Sequence, residues 1–164
     1  MFDGNKHTQA GMTLIEVLVS VLILAIGLLG AAAIQLNALK YTDSSTKTSQ
    51  ASFIAYDMMD RIRANVDGNA VANGTTDVLA TYALASLSSA PSANLNVARD
   101  QDLYDFSTNV TAFAGSAGAA SKIVISKPVV TITLYWDDTR AAGTSTTQSF
   151  TLTSRIGANA VVAP

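Results

Sequence analysis

Between Glu16 and Lys40 this chain of 164 residues carries no charged side chain, and from Val17 to Ile34 every residue is apolar or small, Ser20 included. At 1.5 Å per residue that stretch makes about 27 Å of helix, close to the ~30 Å hydrocarbon thickness of a bilayer. Such a segment has to be covered by lipid or by other apolar helices, so a long N-terminal helix is imposed before anything else is read. The oddity is Glu16, the only glutamate in the chain. A carboxylate in a membrane-spanning helix costs roughly 2.5–3.5 kcal/mol on insertion scales, and something should offset it.

Composition removes several classes of function. With 49% hydrophobic and 13% charged residues the chain is no disordered tail, and its length suits one domain. The mean hydropathy of +0.30 is inflated by the apolar run; the remainder reads as a polar globule rich in Ser, Thr, Ala and Asn. A net charge of −2 and the absence of any Lys/Arg cluster give no electrostatic case for nucleic acid. There is no cysteine, hence no disulfide, and the single histidine, His7, lies in the polar leader "MFDGNKHTQAG". No Gly-rich phosphate loop precedes a helix, and no set of His and Cys has metal-ligand spacing. Asp137 and Asp138 are adjacent, so in a strand they point oppositely and as turn residues they cap a hairpin; calcium there would need oxygen ligands from other loops. The expectation is a protein that is not an enzyme, with no cofactor, no metal and no catalytic residue.

Three readings of the apolar run compete. A plain membrane anchor would place Glu16 at the interface, where it meets the positive end of the helix dipole. A secretory signal peptide would be cut near Ala31-Ala32-Ala33, but its leader would carry a net positive charge, whereas Lys6 is offset here by Asp3, and helical patterning runs on past Ala33. The third reading takes "GMTLIE" as a unit, because it resembles the processing site of type IV pilins and type II secretion pseudopilins. The resemblance implies that a prepilin peptidase removes residues 1–11, cutting after Gly11 and methylating the new N-terminus at Met12. It also implies a filament-assembly role for Glu16, whose carboxylate would meet the N-terminal ammonium of a neighbouring subunit. Glycine suits the cut, since a missing Cβ lets a peptidase approach the backbone closely. The family usually has Phe where Met12 stands, and Met is a flexible apolar substitute.

Beyond Lys40 the period persists. Ala51, Ile54, Ala55, Met58 and Ile62 recur at helical spacing, with Asp57 and Arg61 four apart on another face. Gly68 is the first stop signal, so one helix is predicted over about 12–65, its part 12–39 in membrane or filament core and its remainder within a head of residues 40–164. Arg61 and Arg63 are expected on a solvated helix end, favouring the dipole. Residues 66–98 read as loop with a short helix near Asp77 to Leu87, and "ARDQDLYDFSTNVTAF" as a helix capped at "AGSAG", with Tyr104 and Phe106 in the core. After Gly118 the period becomes two. "KIVIS", "PVVTITLYW" and "QSFTLTSRI" predict antiparallel strands, with Val130, Ile132, Leu134 and Trp136 on the inner face, continued by Phe150 and Leu152. The fold class is α+β: a long N-terminal helix packed on a small antiparallel sheet of three to four strands.

The stretches "AIGLLGAAAIQ", "AYDMMDRIRAN" and "LYWDDTR" resemble the PilV family of type IV pilus minor pilins. That resemblance implies a subunit that waits in the inner membrane with its N-terminus cytoplasmic and later joins the surface pilus. Its role would be in pilus initiation or a tip complex, and hence in twitching motility and adhesion. The implied partners are the prepilin peptidase, other minor pilins, the major pilin, the inner-membrane assembly platform and a tip adhesin. The alternatives are a minor pseudopilin of a type II secretion system and, in another class, a bitopic membrane-anchored binding domain.

Overall fold

The computed structural model describes residues 12–69, 78–139 and 146–156. Its elements are helix α1 (Leu14–Asn69), the short helix α2 (Val78–Thr81), a 3-10 turn at Leu87–Ser89, helix α3 (Ala98–Ala114) running into a 3-10 turn at Gly115–Ala120, and strands β1 (Lys122–Ser126), β2 (Val129–Asp137) and β3 (Thr147–Arg155). This is the α+β, pilin-like arrangement of a long N-terminal helix with a three-stranded antiparallel sheet. The chain divides into two compact units, Met1–Lys40 and Tyr41–Pro164.

In the first unit α1 stands uncovered. Its large apolar side chains are between 44% exposed, at Val17 and Val19, and 90% exposed, at Leu14. Among the described residues this is the one helix long and apolar enough to cross a bilayer. Ser20, the polar residue inside the run, bonds its hydroxyl to the Glu16 carbonyl at 2.7 Å, which removes most of its cost in an apolar setting.

In the second unit α1 supplies a buried stripe of Ala51, Ala55, Met58, Met59 and Ile62. Ile54, expected within the stripe, is half-buried at its edge, and Met59 takes part although the spacing did not single it out. The helix runs through Gly68 to Asn69, four residues past the predicted end. Gly68 does not stop it, since a lone glycine costs only about 1 kcal/mol in a helix. Four hydroxyls along the first turns of this unit bond back along the helix: Ser45 to the Tyr41 carbonyl, Thr46 to Thr42, Thr48 to Ser44 and Ser49 to Ser45, at 2.9–3.1 Å.

The sheet order is β1-β2-β3, with Lys122 opposite Thr133 at one end of the first pair and Leu134 opposite Phe150 in the second. Val130, Ile132 and Leu134 are wholly buried and Trp136 is 3% exposed, so the predicted inner face is the observed one. Phe150 and Leu152 are half-buried against the same core. A tight turn with a cis Lys127–Pro128 bond joins β1 to β2. The outer edge of β1 is held by Leu84, which exchanges two backbone hydrogen bonds of 2.9 Å with Ile123. Leu103, Phe106 and Val110 of α3 complete the core, and Phe113 meets Trp136 edge to face at 5.7 Å. Tyr104, expected in the core beside Phe106, is instead 38% exposed: two residues apart on a helix, the two rings point to different sides. Gly115 ends α3 at φ 58°, donating its N–H to the Thr111 carbonyl, a backbone angle that favours glycine. The predicted helix near residues 77–87 is only one turn, Val78–Thr81.

Candidate functional site

The processing motif begins just outside the described residues: Gly11 lies there, as does the leader with His7. Met12 precedes the helix and is 73% exposed. Thr13 then caps it. Its Oγ1 lies 3.4 Å from the Glu16 N–H, and its carbonyl accepts from the amides of Glu16 at 3.0 Å and Val17 at 3.3 Å. Thr-x-x-Glu before an apolar run is a capping-box pattern, a signal in the sequence that the reading of "GMTLIE" as a processing motif passed over. Glu16 occupies the first turn, where the helix dipole favours an anion. Its side chain is exposed, so the carboxylate is open to an external partner.

The second feature is the end of the motif "DMMDRIRAN". Arg61 does not lie on a solvated helix end. Its Nε donates to Asp57 at 2.9 Å and its Nη1 to Asp105 at 3.1 Å and Asp102 at 3.4 Å on α3. Burial lowers the guanidinium's proton affinity, but the hydrogen bonds and charges of Asp57 and Asp102 outweigh it and leave the pKa raised. Arg63 stays 43% exposed with Asp60, which it bonds at 2.8 Å, but it also reaches the Ser154 hydroxyl on β3 at 2.7 Å. Both corrections have one cause: α3 and β3 approach this turn of α1 and offer acceptors that α1's own spacing cannot reveal. Between the arginines Ile62 enters the core, and Asn65 donates to the Tyr82 hydroxyl at 2.6 Å. Tyr82, wholly buried, donates in turn to Asp102 at 2.6 Å. Burial first, and then the Asp102 acceptor, push the phenol well above its ordinary pKa, so it stays neutral. The arrangement is a clamp between α1, α2's flank and α3, with no nucleophile beside a base.

Asp137 and Asp138 sit at the mouth of the β2–β3 hairpin. The Asp137 carbonyl accepts from Lys47 Nζ at 2.9 Å, and the Asp138 amide donates to the Thr146 carbonyl at 2.7 Å. Among the described residues no three acidic, His or Cys side chains gather into a metal-binding group.

Residues 6–32 match the family model of the prokaryotic N-terminal methylation motif. No curated protein and no solved structure matches the chain. The matched segment takes in the second half of the leader from Lys6, then Gly11, Met12, Glu16 and most of the apolar run. Together with the uncovered apolar helix it overlaps, the motif supports a type IV pilin-like protein, anchored in a membrane and of the kind that a prepilin peptidase processes; the motif's family is structural rather than catalytic.

Proposed function

We propose that this chain is a minor pilin of the type IV pilus, cut after Gly11, methylated at Met12, and drawn from the inner membrane into the filament by its apolar half-helix. The observation that carries the reading is the methylation motif set directly on a helix whose apolar side chains nothing in its own unit covers. In this reading residues 1–11 are the cytoplasmic leader, 12–39 the anchor that becomes filament core, and 40–164 the head outside the membrane. Glu16 then pairs with the Met12 ammonium of a neighbouring subunit. In an apolar bundle two opposite charges attract strongly, and any other axial register leaves both unpaired. The pair therefore sets position along the filament more than it adds stability.

The role in initiation or at the tip, with other minor pilins, the major pilin, the assembly platform and a tip adhesin as partners, rests on the resemblance of "DRIRAN" and "YWDDTR" to PilV sequences. A minor pseudopilin of a type II secretion system would share the N-terminal segment. The test is the intact mass and first residue of the protein recovered from membranes and from sheared pili. The expected species begins at N-methylated Met12 and is present in both fractions. Uncut Met1 or a start at Ile34 would overturn the pilin reading, and a Met12 start with loss of secretion, but not of pili, on gene deletion would favour the pseudopilin.

A further inference from the structure

Helix α1 carries Lys40, Lys47, Arg61 and Arg63, and three of these cations hold an acceptor within the second unit. Lys47 donates to the Asp137 carbonyl, Arg61 to Asp57, Asp102 and Asp105, and Arg63 to Asp60 and Ser154. Lys40 is the exception. It is exposed, and among the described residues it makes no hydrogen bond or ion pair.

Its place on the helix says which anion it meets. The 23 residues between Glu16 and Lys40 are all uncharged. They make about 35 Å of helix, more than a hydrocarbon core of ~30 Å and less than the ~40–45 Å of a bilayer with its headgroups. With Glu16 in one headgroup layer, Lys40 therefore reaches the other. Its neighbours suit that depth. Leu36 and Leu39 are exposed and apolar, and Tyr41, also exposed, is of the aromatic type that collects at the membrane interface. A lysine stem lies along such apolar surface while its ammonium reaches the headgroups. No second cation stands within a turn of Lys40, and Asp43 follows three residues on, so the position suits one singly charged headgroup and not a polyanion.

We propose that Lys40 binds the phosphate of an anionic phospholipid, in the leaflet opposite the one that Glu16 meets, and so sets the depth of the anchor before it leaves the membrane. The inference rests on the membrane-anchored reading above. It is read from bound lipid and not from the first residue of the chain, so its failure leaves cleavage after Gly11 standing.

The full chain is purified in detergent and supplied with equal amounts of phosphatidylglycerol and phosphatidylcholine, and the retained lipids are counted by native mass spectrometry. Wild type should retain phosphatidylglycerol in preference by roughly fivefold, the effect of one basic side chain at an anionic surface. Lys40→Gln should remove the preference, and Lys40→Arg should keep it. Arg155→Gln, which takes the same charge from an exposed position on β3, should leave it unchanged. Excess inorganic phosphate should not displace the lipid, because acyl chains beside Leu36 and Leu39 supply the rest of the binding. The proposal is overturned by no preference in wild type, by an undiminished preference in Lys40→Gln, by an equal loss in Arg155→Gln, or by displacement with inorganic phosphate.

Discussion

Glu16 faces two demands that one experiment separates. As a first-turn anion it suits the helix dipole, and as a carboxylate in an apolar run it is expensive. Glu16→Val should make the helix a better membrane span by roughly 2.5–3.5 kcal/mol, and the protein should still be inserted and cut. What should fall is its entry into filaments, because the neighbour's ammonium is left in an apolar core without a counter-charge. The comparison is wild-type against variant protein in membranes and in sheared pili, in cells lacking the native copy. Equal amounts in the sheared fraction would reduce Glu16 to a capping residue. Tyr82 poses a question of the same scale. Its phenol is held neutral above its ordinary value of 10.0, so the folded state keeps a proton that the unfolded chain loses in alkali. That stability is fully present below about pH 10 and is lost as pH rises from there toward the folded value. Tyr82→Phe removes the hydroxyl that donates to Asp102 and accepts from Asn65, and should cost about 1–3 kcal/mol at neutral pH. It should also flatten the alkaline fall in Tm; a melt matching wild type at both pH values would show the clamp to be idle.

Among the elements, α1 is chemically two helices on one backbone, and truncation distinguishes them. A chain beginning at Tyr41 retains Ala51, Ala55, Met58, Met59 and Ile62, all buried in the core of the second unit, and should be soluble and melt cooperatively. A chain beginning at Arg63 loses the whole stripe, exposing Val130, Ile132 and Leu134, and should aggregate. Equal solubility and cooperativity of the two would place the core elsewhere. The strands were legible because their period is two: β1 matches "KIVIS" residue for residue, and the apolar buried residues of β2 are the alternate set, with Thr133 of the other face buried beside them. Helix α2 and the 3-10 turns were not, because Ser, Ala and Asn in short runs carry no period and take their form from what they pack against.

At the scale of the whole molecule, what the sequence hides is whatever joins distant segments. Arg61 and Arg63 were visible as charges, but their partners Asp102, Asp105 and Ser154 lie 41 to 91 residues away, and no local pattern links them. Tyr82 was unremarked for the same reason; it stands between a short helix and loop, and only the fold puts Asn65 and Asp102 on either side of it. The candidate site rests on the order of Gly11, Met12 and Glu16, and the same stretch also carries Thr13-x-x-Glu16, the capping signal whose cap the structure shows. The hydroxyls that bond back to the carbonyls of Tyr41, Thr42, Ser44 and Ser45 carry one more consequence. Each such carbonyl is shared between an amide and a hydroxyl, which weakens the helix locally without interrupting it. Amides from Ser45 to Ser49 should therefore exchange with deuterium sooner than those from Met58 to Ile62, where α1 is buried. Under axial tension the same stretch is a fuse: it lengthens first, and the bonds that hold the core beneath Met58 and Ile62 are spared the pull.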